Sequence, residues 1–200
     1  MVLPYGSLNR PTRRALLCGS AAALLGALAP PVAHAHNEAG VVDPPLLAPD
    51  VAVTLDNGSS SSLRAILAGK VTALQLMFTS CRATCPIQGA LFAKGAKALG
   101  DSVKTAQWLS LSIDPARDDP AALRRWMEHL GAHPRWRAGR PEAKALDALV
   151  AFLKSKNPGP DPHTVQVYYF NPKSQLVLRS VDFPPVPEIL RVLRTLAARS

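Results

Sequence analysis

Hydrophobic and polar positions along this chain change period several times, and each change marks an element. Residues 51–55 alternate and run into Asp56-Asn57-Gly58, a turn sequence that predicts a hairpin. Residues 71–78 form a nearly continuous apolar run broken by Gln75, the pattern of a strand buried on both faces. After Pro86 the spacing turns helical, with Ile87, Ala90, Leu91 and Ala98 on one face until Gly100 stops it. Residues 105–113 read as a second strand. Asp118-Asp119-Pro120 opens a helix with acidic residues at the positive dipole end and proline in the first turn. Leu123, Trp126, Met127 and Leu130 give that helix its apolar stripe, which ends at Gly131. A second amphipathic stretch, 142–153, presents Leu146, Leu149, Val150 and Leu153. Residues 164–170 and 175–180 flank the turn Asn171-Pro172-Lys173-Ser174, and residues 187–198 close the chain as a helix with Leu190, Leu193 and Leu196 inward.

The predicted order is hairpin, strand, helix, strand, helix, helix, hairpin, helix. A βαβ half followed by a ββα half, with two cysteines where the first strand meets its helix, resembles the thioredoxin-like arrangement. The expected fold class is therefore α/β, a single thioredoxin-like domain over residues 51–200 carrying an N-terminal hairpin extension. No internal repeat interrupts it.

Residues 1–35 stand outside this pattern. Arg10, Arg13 and Arg14 precede the run 15–29, which holds almost only small and apolar residues. Fifteen residues fall short of the roughly 20 needed to span a bilayer. Ala33-His34-Ala35 supplies small residues for a signal peptidase, so the expectation is a cleaved signal peptide rather than a membrane anchor. Arg13-Arg14 keeps the twin-arginine route open beside the general secretory one. Residues 36–50, rich in Pro and Ala and without periodicity, are expected to be a flexible lead-in.

Composition narrows the classes of function. Apolar residues at 48% and charged residues at 18% exclude a disordered chain. The net charge of +9 comes from 23 Lys and Arg against 14 Asp and Glu, but these are scattered and aromatics are only 6%. That distribution speaks against nucleic acid as a partner, and leaves at most transient contact with a membrane surface. Cys18 goes with the signal, so the exported chain keeps Cys81 and Cys85 alone, in a disulfide-permissive compartment.

That pair lies in Phe78-Thr79-Ser80-Cys81-Arg82-Ala83-Thr84-Cys85-Pro86. Four residues apart at a helix start, the two sulfurs can face one side. The dipole and Arg82 both favour thiolate, the form that attacks disulfides and binds metal. Three readings stay open on the residues: a structural disulfide, a redox-active dithiol, and a site for one soft ion. Thiolates select Cu(I), which is content with two or three ligands. A zinc site would want a fourth protein ligand. His163, in Asp161-Pro162-His163-Thr164, lies well downstream just before a predicted strand. His129 and His133 are read as solvated, since Gly131 breaks the helix between them, and His36 lacks companions for a site. Helix capping accounts for Asp118 and Asp119.

The Phe-Thr-x-Cys-x-x-x-Cys-Pro segment, then Ser112-Ile113-Asp114-Pro115-Ala116-Arg117-Asp118-Asp119-Pro120, then His163-Thr164 followed by Tyr168 and Asn171-Pro172, together resemble the Sco (SenC/PrrC) family. Its members are thioredoxin-like copper chaperones for the CuA centre of cytochrome c oxidase. The resemblance implies Cys81 and Cys85 as thiolate ligands, a redox pair able to form a disulfide, and His163 as the imidazole ligand for copper, Cu(I) or Cu(II). It implies a periplasmic metallochaperone rather than a catalyst, whose partners are the CuA-bearing oxidase subunit and another periplasmic copper chaperone. A thiol–disulfide reductase keeping such cysteines reduced is the alternative. By position Asp114 is expected to help shape the site. Arg82 departs from the family, where proline follows the first cysteine, and its charge opposes a cation while favouring thiolate.

Overall fold

A computed structural model describes residues 39–155 and 165–199. The signal-peptide expectation for residues 1–35 and the candidate ligand His163 lie outside the described residues. In chain order the elements are β1 (Gly40–Leu47), β2 (Ala52–Leu55), β3 (Ser60–Ser62), α1 (Leu63–Leu67), β4 (Val71–Met77), α2 (Thr84–Leu99) and β5 (Ala106–Ser112). Then follow α3 (Pro120–His129), β6 (Trp136–Pro141), a 3-10 turn (Ala143–Ala145), α4 (Leu146–Leu153), β7 (Tyr168–Phe170), β8 (Gln175–Arg179) and α5 (Val186–Ala198).

The apolar run at 71–77 becomes the middle of an eight-stranded sheet ordered β1-β8-β7-β4-β5-β6-β2-β3. β4 lies parallel to β5, with Val71 opposite Ala106 and Met77 opposite Ser112, and antiparallel to β7. Every residue of β4 and β5 is buried, as a parallel pair covered on both faces requires. Polar residues on these strands reach sideways to one another, although Gln75 Oε1 is left buried without a partner among the described residues. The Gln75 amide donates to Ser110 Oγ at 2.8 Å, Trp136 Nε1 donates to the same oxygen at 2.9 Å, and the Gln107 amide donates to Thr72 Oγ1 at 2.8 Å.

Two cores result. One lies under α2, α3 and α5 and holds Phe92, Trp108, Leu123, Met127, Trp136, Ile189 and Leu193. The other lies under α1 and α4 and holds Leu63, Leu67, Leu109, Leu149, Leu153, Tyr168 and Phe170. Phe92 meets Trp108 edge-on at 5.0 Å between ring centres. Gly95 lets α2 lie this close, because a Cβ there would run into the Trp108 ring. The predicted α/β, thioredoxin-like class holds, and β2 and β3 form the predicted hairpin at one sheet edge.

Four elements differ from expectation. The lead-in is not without structure, since Gly40–Leu47 forms β1 along β8 at the other edge. Its two prolines fall where the register shifts, between Val41 and Leu46, so pairing survives where Pro has no N–H to give. β6 is an addition that periodicity did not reveal. Its Arg137 pairs with Asp56 at 2.9 Å, its Arg140 donates to the Pro115 carbonyl at 2.9 Å, and Gly139 admits Val53 closely. α2 begins at Thr84 rather than after Pro86. A proline in the first turn costs no hydrogen bond, because those N–H groups have no partner within the helix. β7 is shorter than 164–170, because Val165, Gln166 and Val167 take no part in the strand ladder.

Among the described residues no helix is long and apolar enough to cross a membrane.

Candidate thiol and metal centre

Beginning α2 at Thr84 puts Cys85 in the first helical turn and leaves Cys81 in the loop that follows β4. The Cys81 N–H donates to the Phe78 carbonyl at 3.2 Å, turning the chain back at the end of the strand. The Cys85 N–H then donates to Cys81 Sγ at 3.4 Å, and the Thr84 hydroxyl lies 3.9 Å from the same sulfur. The two sequence-selected sulfurs therefore meet at the helix N-terminus.

They meet as unequal partners. Burial is the largest influence on the Cys81 thiol and raises its pKa. The hydrogen bonds it takes from Cys85, side chain and backbone, from the Ala83 backbone and from Thr84 outweigh that and bring it below the ordinary thiol value. For Cys85, burial again comes first, and its hydrogen bond to Cys81 adds to it, pushing the thiol up to about 12. Sequence alone favoured thiolate at both positions; the structure gives that character to Cys81 and a retained proton to Cys85. Cys85 is 2% exposed and Cys81 is half-buried, so reagents meet Cys81 first. Arg82 is exposed, so water screens its charge.

The acidic residues sort differently from the sequence reading. Asp119 caps α3, its carboxylate accepting from the Ala122 N–H at 2.7 Å. Asp118 is no cap. It is fully buried and accepts from the Thr79 hydroxyl at 2.5 Å and N–H at 3.1 Å, and from the Ser112 hydroxyl at 2.6 Å. Asp114, the expected shaping residue, pairs with exposed Arg117 at 3.4 Å. It joins the site through its backbone N–H, which donates to Ser112 Oγ at 3.0 Å.

Gln88, one turn beyond Cys85, is a second residue that sequence reasoning missed. Its amide donates to the carbonyls of Val165 at 3.0 Å and Gln166 at 3.1 Å, so α2 holds the chain two residues after His163. A buried Gln at Cys+3 was the available signal, but nothing in the sequence distinguishes it from a polar residue facing solvent. Among the described residues no third His, Cys, Asp or Glu joins the two cysteines, and His129 is exposed as expected.

An α/β sheet covered by helices on both faces, with a polarised dithiol at the N-terminus of α2, defines a thioredoxin-like thiol protein. The chain belongs to the SCO1/SenC family, whose profile matches residues 53–198. It is similar in structure to a SCO1/SenC family lipoprotein from Bacillus anthracis, at 22% identity and TM-score 0.64, over 78% of this chain and 99% of that one. Yeast Sco1, solved with copper bound, is similar at 20% identity and TM-score 0.65, over 78% and 91%. BsSco, described as a Sco-family cytochrome c oxidase assembly protein with a disulfide switch, is similar at 19% identity and TM-score 0.66, over 80% and 99%. No curated protein matches the chain by sequence.

Proposed function

We propose that this is a periplasmic copper-binding protein that delivers copper to the CuA centre of cytochrome c oxidase during its assembly. Residues 1–35 serve as its export signal, and Cys81, Cys85 and His163 hold the metal. The observation that carries this reading is the convergence of Cys85 N–H and Cys81 Sγ at 3.4 Å on the helix N-terminus. The two cysteine side chains also hydrogen-bond to each other, so two soft donors stand within reach of one ion, with the backbone hydrogen bond and the helix dipole to stabilise the anionic sulfur. Family membership supports it, as does the copper in yeast Sco1. Binding of Cu(I) deprotonates Cys85, whose proton leaves to solvent, so the high pKa of that thiol makes binding weaker at low pH. The cargo passes to a target of matching thiolate and imidazole donors, and the CuA-bearing subunit is the proposed receiver.

One observation favours a second reading, thiol–disulfide reduction. A low-pKa half-buried sulfur beside a high-pKa buried one divides the labour of attack and resolution. Cys81 thiolate attacks a target disulfide, forming a mixed disulfide and releasing one target thiolate. Cys85 gives up its proton and attacks Cys81, releasing the second target thiolate and leaving a Cys81–Cys85 disulfide. The target gains two electrons, and a small-molecule or protein dithiol of the compartment restores the pair.

Titration of the reduced protein with Cu(I) and Cu(II), beside a thiol-exchange assay, separates the two. Copper delivery predicts one Cu(I) per chain, lost in Cys81→Ser and Cys85→Ser because a hard hydroxyl cannot replace a thiolate. It also predicts that His163→Ala loses Cu(II) and its sulfur-to-copper colour while keeping some Cu(I). Single-cysteine variants that hold copper like the parent overturn metal delivery. Exchange activity without retained copper establishes the reductase.

A further inference from the structure

The loop that presents Cys81 touches the apolar core through Phe78 and Cys81, and its remaining residues do not. Ser80, Arg82 and Ala83 are exposed, and Thr79 is half-buried. Between those two contacts, what holds the loop is a carboxylate from elsewhere in the chain. Thr79 donates twice to Asp118, through its N–H at 3.2 and 3.1 Å to the two oxygens and through its hydroxyl at 2.5 Å to Oδ1. Oδ2 takes the Ser112 hydroxyl at 2.6 Å, and Ser112 Oγ in turn accepts the Asp114 N–H at 3.0 Å. The Asp118 N–H donates to the Asp114 carbonyl at 3.0 Å. Asp118 thereby ties the loop after β4 to the loop after β5, and its partners are neutral donors.

Burying a carboxylate among neutral donors costs stability that an apolar residue would not. Its oxygens accept hydrogen bonds on two sides, and short bonds to an ionised oxygen are the strong and directional ones. Thr79 stands two residues before Cys81, inside the turn closed by the Cys81 N–H on Phe78. Rotation of that turn moves Cys81 Sγ off the Cys85 N–H.

We propose that Asp118 is the positioning residue of the centre, holding the Thr79 turn so that Cys81 Sγ stands against the N-terminus of α2. The proposal takes from the reading above only that Cys81 is the reacting sulfur. Asp118→Asn keeps an amide oxygen for the Thr79 N–H, and its NH2 group meets hydroxyls that can turn to accept. Asp118→Ala removes both sides at once. Asp119→Ala removes a helix cap and touches nothing in the loop, so it reports plain destabilisation.

The test is the alkylation rate of Cys81 in the reduced, copper-free full chain, mapped by peptide mass, with Cu(I) affinity and thermal midpoint measured beside it. Asp118→Ala is expected to change the Cys81 rate about fivefold or more and to weaken Cu(I) about 10–100-fold, as loss of supporting hydrogen bonds does. Asp118→Asn restores the rate to within about twofold of the parent, and Asp119→Ala lowers the midpoint with the rate unmoved. An Asp118→Ala protein that alkylates at the parent rate overturns the proposal, as does a folded Asp118→Asn protein that fails to rescue. Should Asp118→Ala not fold, Thr79→Val decides: it deletes the hydroxyl donor alone, and an unchanged Cys81 rate rejects the role while a shifted one supports it. If the parent takes no copper, metal delivery fails and the alkylation series still decides for Asp118.

Discussion

At Cys81 the hydrogen bonds from Cys85, Ala83 and Thr84 work against burial and win, whereas at Cys85 burial is reinforced by the bond to its neighbour. The pH dependence follows from those directions. A thiol lowered in the folded chain reaches full thiolate, and its full alkylation rate, at a lower pH than a free cysteine. A thiol at about 12 stays protonated and slow across the neutral range. Iodoacetamide near pH 7 should therefore label Cys81 first, and unfolding in denaturant should bring the two rates together. Equal rates in the folded protein would sink the polarised pair. The cysteines themselves were legible as chemistry, because two thiols four apart before a proline are rare and their types are specific. Asp118 was not, since Asp118-Asp119-Pro120 reads equally well as a doubled cap. Only burial separates the two acids, and burial depends on where the loop after β5 folds.

Among the elements, β4 and β5 could be read from sequence because a strand covered on both faces is mostly apolar, its few polar residues uncharged. β6 has the same parallel neighbour, yet Arg137, Gly139 and Arg140 hide it. Their charges are accepted by Asp56 and the Pro115 carbonyl, which are tertiary partners invisible to a local pattern. β1 escaped for a related reason, since its pairing tolerates prolines only through a shift in register supplied by β8. The element that matters most to the centre is α2, which carries Cys85 and packs through Gly95 on Trp108. Gly95→Ala gains helix propensity worth about 1 kcal/mol. It also forces a methyl group into a fully buried indole, and overpacking of this kind costs about 1–3 kcal/mol. The clash prevails, because Trp108 is itself locked against Phe92 and cannot yield. A urea midpoint lower than the parent's is expected, and a raised midpoint would show that α2 can lift away freely.

For the molecule as a whole, the proposed ligands come from both halves of the fold. Cys81 and Cys85 belong to the βαβ half, and His163 precedes the β7–β8 hairpin of the other. Gln88 already links these halves by holding Val165 and Gln166. An ion bound by the proposed ligands favours the folded state, because the unfolded chain does not hold even the two sulfurs together. By mass action a ligand at 100 times its Kd adds about 2.7 kcal/mol, less whatever affinity the unfolded dithiol retains. For a domain of this size that amounts to a rise in thermal midpoint of roughly 5–10 °C. The chain from residue 36 onward, reduced and loaded from a Cu(I) buffer, should show a rise of this kind. His163→Ala should show a smaller one, since only the sulfurs remain and they lie within one half. The oxidised protein, its sulfurs joined to each other, should not respond to Cu(I) at all. A reduced protein whose midpoint ignores copper would leave the dithiol without a metal to carry, and the same polarised pair would then act through disulfide exchange.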